Sequence, residues 1–409
     1  MMAKTFSLLR LLMISGLASV IASTALAQDD QTNTGETPLF RGEQLLMSGS
    51  YAAATEIFQM ADGLDRNEGL VGASKAFAMM GNYQEAMSVV QNAIEANDYA
   101  RFPLLSTQLA EIKRVVGESR EALAILKSVV DGLEDAPVRT LVQYGSLLKF
   151  VGEKETASPI LDQAVQRYNN GLVFSSEDVA MVALASWLMD NFHDANSLFS
   201  EATRANPNNL EAHVLWGDLF LEKYNMADAE RSYQEALDIN SRYVPALVGM
   251  TQITGDERAL QRAMAINPNS TAAIQTYAQL LMVNEREDEA QEYFDKVLEI
   301  NKESLKTLSL LASQAALEEK SENYASYLAQ VEAFSPDNPI FLADIADYLG
   351  KNYLFVEAVE FARAALEADP QYWQGYTVLG SNLIRLGEEE EGKANLEIGF
   401  ENDPFNVLT

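Results

Sequence analysis

PDNPIFLADIADYLGKNYLFVEAVEFARAALEAD, residues 336–369, is followed at once by PQYWQGYTVLGSNLIRLGEEEEGKANLEIGFEND, residues 370–403, and then by Pro404. The two strings have equal length and the same plan: a proline, an apolar run, a turn, a second apolar run. Upstream, Lys302 and Pro268 continue the proline column at the same interval of 34 residues, and Pro207 and Ser241 are separated by that interval too. The step from Ser241 to Pro268 is shorter by seven residues. Seven residues are about two helical turns, so the helix faces stay nearly in phase. A small-residue column runs five positions ahead of the prolines, through Ala202, Ala236, Ala263, Val297, Val331, Ala365 and Gly399. Three positions earlier come Phe199, Tyr233, Leu260, Phe294, Leu328, Ala362 and Leu396. A spacing of three puts both columns on one helix face. The large residue fills the space between neighbours and the small one lets two helices approach.

The N-terminal half carries a second marker. Gly49, Gly81, Gly117 and Gly152 each precede an alanine by five positions, and Gly387 and Gly392 repeat the offset near the other end. A glycine there suits the end of a first helix, where φ must be positive. Acidic residues crowd the helix starts that follow, as at Glu85, Glu121, Asp288 and the run Glu388–Glu391, where they complement the helix dipole.

These residues resemble the tetratricopeptide repeat (TPR) family. One unit has Trp216-Gly217, Tyr233 and Ala236; another has Leu379-Gly380, Gly387, Leu396 and Pro404; two more open their turns with Gly49-Ser50-Tyr51 and Gly81-Asn82-Tyr83. The resemblance runs from about residue 39 to 404 and implies an all-α, right-handed superhelical solenoid of about eleven TPR-like hairpins. The domain reading is a leader at 1–27, a flexible lead-in at 28–38, N-terminal repeats at 39–175 and C-terminal repeats at 176–406, with a shortened unit at 244–270. Asn169-Asn170-Gly171 is read as the joint between the two groups of repeats.

The leader rests on Lys4 and Arg10, a short apolar stretch from Leu11 to Ala22, and Ala25-Leu26-Ala27 as a small-x-small cleavage site. It predicts a periplasmic protein cut near Ala27. The apolar stretch falls short of the ~20 residues a span needs, and no second long run follows, so no membrane span is expected in the mature chain.

Composition excludes several functions. The chain has 409 residues, with 60 acidic and 29 basic side chains and a net charge of −31. A phosphate backbone would be repelled, so nucleic acid is not an expected partner. There is no cysteine, hence no disulfide and no zinc–thiolate site. HExxH, GxSxG and P-loop motifs are absent. His193, in the Asn191–Asp194 turn, and His213, on a packing position of a first helix, read as structural. Asp344 and Asp347, one turn apart, read as chance neighbours in an acidic chain rather than an acid/base pair. No enzyme activity, cofactor or metal is expected.

The resemblance implies that the first helix of each hairpin lines a concave face. Aligning the units places Arg139 and Lys149 there in the fourth, Trp187 in the fifth, and Glu211, Asp218 and Glu222 in the sixth. Later units contribute Gln279, Lys306, Asp344, Asp347, Thr377 and Arg385. The expected surface is a polar groove with an acidic middle. It favours a protein or peptide partner, basic or neutral, laid in as a helix or strand. The acidic excess has a second reading, as general solubility in a saline habitat.

The string Asp403-Pro404-Phe405-Asn406-Val407 resembles the junction at which large exported TPR proteins continue into a gluzincin metallopeptidase domain. That resemblance implies a non-catalytic repeat arm. An exported scaffold for envelope proteins, such a peptidase arm, and an accessory of envelope glycan export are the three functional readings.

Overall fold

The structure, a computed structural model, describes residues 36–404. The leader at 1–27, residues 28–35 of the lead-in and the Phe405–Val407 end of the junction string lie outside the described residues. Within them the chain forms α-helices with three short 3₁₀ turns and no strand. The helices pair in order. Hairpins one to four are Pro38–Met47 with Tyr51–Phe58, Arg66–Met79 with Tyr83–Gln91, Pro103–Val115 with Ser119–Gly132, and Val138–Phe150 with Lys154–Asn169. Hairpins five to eight are Ser176–Leu188 with Phe192–Ala205, Leu210–Glu222 with Met226–Ile239, Val244–Thr254 with Glu257–Ile266, and Thr271–Val283 with Glu287–Ile300. Hairpins nine to eleven are Leu305–Leu317 with Ser321–Phe334, Pro339–Lys351 with Phe355–Ala368, and Trp373–Leu386 with Glu389–Asn402. We call the two helices of each pair A and B.

The packing columns are the core. Ala202, Ala236, Ala263, Val297, Val331 and Ala365 are buried, as are Phe199, Tyr233, Leu260, Phe294 and Ala362. The glycine in the A helix has a steric reason. A Cβ on Gly217 would lie 2.6 Å from the Tyr233 ring, and one on Gly249 would lie 2.4 Å from it. The tyrosine is sandwiched between two bare backbones, and any side chain there would prise successive hairpins apart. Packing is continuous through Gly171: Leu161 and Ala164 before it share a cluster with Val179 and Ala183 after it.

Two backbone devices recur. Each A-to-B turn has one residue with positive φ. It is glycine in six hairpins (Gly49, Gly81, Gly117, Gly152, Gly255, Gly387) and Asp190, Tyr224, Glu285, Glu319 or Tyr353 in the other five. Each B helix from the fifth hairpin to the eighth ends on an asparagine in extended conformation. Its side-chain oxygen accepts the amide two residues on, as in Asn240 to Arg242 at 2.9 Å and Asn267 to Asn269 at 3.0 Å. This is the Asx-turn, which ends one helix and aims the next.

The superhelix returns on itself. The A–B turn of hairpin one meets the loop that follows hairpin six. There Tyr51 Oη donates to Arg242 O (3.2 Å), Asn240 Nδ2 donates to Tyr51 Oη (3.1 Å) and Arg242 Nε donates to Gly49 O (3.1 Å). The turn of hairpin two meets the loop after hairpin seven in the same way: Tyr83 Oη donates to Asn269 O (3.2 Å), and Asn269 Nδ2 to Gly81 O (3.1 Å). At hairpin three, the Ser119 amide donates to Glu303 Oε2 after hairpin eight (3.0 Å). At hairpin four, Phe150 stacks on Phe334 of hairpin nine with ring centroids 5.4 Å apart, while Lys154 reaches one hairpin further, to Asp369 after hairpin ten. At hairpin six, Lys223 pairs with Asp403 at 2.8 Å. A seam at an offset of five hairpins therefore ties one superhelical turn to the next.

Candidate functional site

Side chains of A helices that are not neighbours in sequence meet each other, so the A helices face the inside of the curve. Arg139 of hairpin four donates to Glu211 of hairpin six at 3.0 Å and to Glu111 of hairpin three at 3.3 Å. The guanidinium bridges three hairpins and closes the inner wall at that height. Burial works to raise the Glu211 carboxyl, but the charge and hydrogen bonds of Arg139 overcome it and hold the group down at about 2. The acidic middle expected from the alignment is thus engaged within the protein. Asp218 accepts a hydrogen bond from Tyr233 Oη at 2.6 Å. Its burial pushes the carboxyl up to about 6, against the lowering effect of that bond. Glu222 accepts from Trp187 Nε1 at 2.9 Å, and Lys149 donates to Leu188 O. His213 is buried, with Nε2 2.9 Å from Pro207 O. His193 is exposed and sits in the first turn of the B helix of hairpin five. The cap Asn191 accepts the Asp194 amide there, so the segment read as a turn is the start of that helix.

The later part of the inner wall is open. A cavity of about 460 Å³ lies between the A helices of hairpins ten and eleven. Asp344, Asp347 and Lys351 line it from hairpin ten; Thr377, Ser381, Asn382 and Arg385 line it from hairpin eleven. Two tyrosines complete it. Tyr372 comes from the loop entering hairpin eleven, and Tyr224 from the turn of hairpin six, across the seam. Next to it, a smaller cavity of about 180 Å³ shares Asp344, Asp347 and Lys351 and adds Gln279 and Lys306. The structure therefore brings six of the aligned candidates, Gln279, Lys306, Asp344, Asp347, Thr377 and Arg385, to one continuous recess. Arg139, Lys149, Trp187, Glu211, Asp218 and Glu222 are instead held in contacts within the array.

The recess is charged but loosely paired. Lys306 reaches Asp344 at 3.1 Å, and Lys351 reaches Asp347 at 2.6 Å along one helix face. Arg385 lies 5.8 Å from the Phe355 ring centroid, a cation–π contact. Burial pushes the Tyr372 hydroxyl above its ordinary range, and the charges of Asp344, Glu222 and Asp347 add to the shift. Burial also raises the Tyr224 hydroxyl, helped by Asp347 and Asp344 and opposed by Lys351.

Tyr224, Lys351, Tyr372 and Asn382 were not identified from sequence. Lys351, Tyr372 and Asn382 lie at A-helix ends or off the aligned inner positions. Tyr224 enters from another superhelical turn, which no local pattern reports. Among the described residues there is no group of three or more His, Cys, Asp or Glu placed to hold a metal ion. None of the described helices is long and apolar enough to cross a membrane.

Residues 271–304, hairpin eight with its following loop, match the model of the tetratricopeptide repeat. Solved structures similar to the chain include the APC/C hetero-tetramer Cut9–Hcn1, at 12% identity over 90% of this chain and 86% of that one, with a TM-score of 0.39. Yeast Tom70 is similar at 16% identity over 89% of this chain and 84% of that one, with a TM-score of 0.40. No curated protein sequence matches. The chain is an array of TPR-like helical hairpins.

Proposed function

We propose that this TPR-like array is an exported scaffold that holds another protein of the bacterial cell envelope in its inner groove. TPR-like folds bind proteins or peptides, and the recess between hairpins ten and eleven supports that reading here. Its ion pairs, Lys306 with Asp344 and Lys351 with Asp347, involve half-exposed lysines, unlike the enclosed Arg139 bridge. Its dimensions suit side chains of an extended or helical segment rather than a second folded domain. The reading is non-enzymatic: the groups that line the recess are lysine-paired carboxylates, an arginine and two phenols. Export rests on Lys4, Arg10, the apolar stretch and the Ala25-Leu26-Ala27 site.

Two experiments test it. A photo-crosslinking residue in place of Ser381 is expected to capture a specific envelope protein in cells, and Asp344→Lys with Asp347→Lys is expected to abolish that product. A crosslink that persists in the double variant at full yield contradicts the groove reading. N-terminal sequencing of the mature protein is expected to begin at Gln28; retention of Met1 in a cytoplasmic fraction contradicts export.

A further inference from the structure

The seam uses the turns of hairpins one to six and the loops after hairpins six to eleven. The turns of hairpins seven to eleven and the loops after hairpins one to five are left over, one set on each edge of the array. These left-over elements carry the docking chemistry of the seam. In the seam, Asn267-Pro268-Asn269 sits on the turn of hairpin two: Asn267 Nδ2 donates to Ala78 O (3.1 Å) and Asn269 Nδ2 to Gly81 O (3.1 Å). Asn206-Pro207-Asn208, after hairpin five, is the same string. It has the same shape: Asn206 Oδ1 accepts the Asn208 amide at 3.0 Å, as Asn267 Oδ1 accepts the Asn269 amide at 3.0 Å. The offset gives it no turn among the described hairpins, and Asn208 is exposed. Conversely, Gly387 in the turn of hairpin eleven has nothing within 4 Å of its would-be Cβ, whereas Asn240, Asn267 and Asn301 crowd Gly49, Gly81 and Gly117.

The two end hairpins repeat the pattern with apolar groups. Leu366 and Val378 pack on one cluster between hairpins ten and eleven. Phe400 lies 34 residues after Leu366 and holds its place in hairpin eleven, yet is 54% exposed. Gly42 and Gly49 have the spacing of Gly380 and Gly387, so Phe40 holds the place of Val378 in hairpin one, and it is 45% exposed. Positions that pack together inside the array are thus presented to solvent at its two ends. On the free edges, Tyr353 in the turn of hairpin ten and Phe174 in the loop after hairpin four are also exposed, at 81% and 85%.

We propose that the array binds a second copy of itself head to tail, with hairpin eleven of one chain stacked on hairpin one of the next and the seam continuing across the junction. Counted on by five, the turn of hairpin eleven reaches the loop after hairpin five of the following copy, so Gly387 takes its Asn206 and Asn208. The turn of hairpin ten reaches the loop after hairpin four, which sets Tyr353 against Phe174. Phe400 and Phe40 cover each other between the ends. The contact is heterologous. The seam already stacks one superhelical turn on another, so the operator includes a translation and the assembly cannot close into a ring. Its product is an open rod, whatever the groove holds. A net charge of −31 on each copy opposes association, so salt, which screens beyond ~10 Å at about 0.1 M, strengthens it.

The test is sedimentation velocity on the full mature chain from ~1 to ~200 μM, at low and high salt. The weight-average coefficient is expected to rise with concentration past the dimer, more steeply at high salt. Phe400→Asp and Asn208→Lys are each expected to weaken association ~10-fold or more. Both side chains are exposed in the single chain, so the circular dichroism spectrum and thermal midpoint are expected to stay unchanged. The chain has no cysteine. Asn208→Cys with Glu388→Cys is therefore expected to give a ladder of covalent oligomers with a short bismaleimide, and either cysteine alone no ladder. A monomer at every concentration overturns the proposal, as does association insensitive to both variants. Association that stops at a dimer, with single cysteines crosslinking as well as the pair, marks a two-fold contact and also overturns it. If the chain stays monomeric and hydrogen exchange shows protection around Phe400, its own terminal residues hold that face and the second copy is excluded.

Discussion

The turns of the first four hairpins and those of the last five occupy the same place in the repeat but face different surroundings. Gly81 has φ +79°, and a Cβ there would lie 2.3 Å from Asn267 Oδ1 in the loop docked on it. Gly49 and Gly117 are approached as closely, by Asn240 and Asn301. Gly387 has φ +91° and nothing within 4 Å of its would-be Cβ, and Gly255 is equally open. Three of the last five turns use Glu285, Glu319 or Tyr353 at the positive φ instead. Early in the chain glycine answers two demands, a left-handed backbone and a neighbour in van der Waals contact. Late in the chain it answers only the first, which other residues can meet at a cost of about 1–2 kcal/mol. The inner wall divides likewise: bridged shut by Arg139 in the first half, recessed in the second.

Breaking that contrast gives graded predictions. The largest effect is expected from Arg139→Ala, which leaves Glu111 and Glu211 facing each other without their shared cation. A loss of about 3 kcal/mol is expected in urea denaturation followed by circular dichroism. Lys306→Ala, in the open half, is expected to change stability by less than about 0.5 kcal/mol. Equal losses would remove the distinction between the two halves of the wall.

Next come the turn glycines. Gly81→Ala is expected to cost about 2–3 kcal/mol, combining left-handed strain with the collision at Asn267, and Gly387→Ala about 1 kcal/mol from strain alone. Asn267→Ala in the Gly81→Ala background sharpens the comparison. It removes the colliding atom, so the second substitution should cost less than it does in the unmodified protein.

Asp218 gives a pH signature. Its folded-state carboxyl lies near 6, above the ordinary value of 3.8. Between those values the folded protein holds a proton that the unfolded chain releases, so this residue makes stability fall as pH rises from about 4 to 6. Asp218→Asn is expected to raise stability at pH 7 by about 1–2 kcal/mol and to flatten that part of the profile, read from denaturation midpoints at several pH values. The Glu211 contribution has the opposite sign. It is present above the ordinary carboxylate range and lost as pH falls through about 2.

The smallest effect is at an open turn. Tyr353, 81% exposed with φ +66°, is expected to gain about 0.5 kcal/mol as Asn, which tolerates the left-handed region. The thermal midpoint checks it.

Much of the fold was legible because its cause is local and periodic. The column from Ala202 to Gly399 and the turn glycines obey spacing rules set by helix geometry. The seam was not legible from those columns, because Gly49 and Asn240 are far apart in sequence and nothing local announces their contact. A signal was present all the same: Asn206, Asn240, Asn267 and Asn301 stand one residue ahead of the proline column. The site was half legible. Aligning the A helices located Asp344, Asp347, Thr377 and Arg385, since side-chain direction follows helix phase. It could not show that Arg139 and Glu211 consume each other's charge, nor that Tyr224 arrives from a different superhelical turn.

The seam and the composite recess both require the superhelix to close on itself at an offset of five hairpins. The chain has no cysteine, so Asn82→Cys with Pro268→Cys admits two spin labels at defined positions on the two sides of the seam. Double electron–electron resonance on that protein is predicted to give a single short, narrow distance distribution. A long, broad distribution, as for an extended array, would contradict the seam and with it the composite recess.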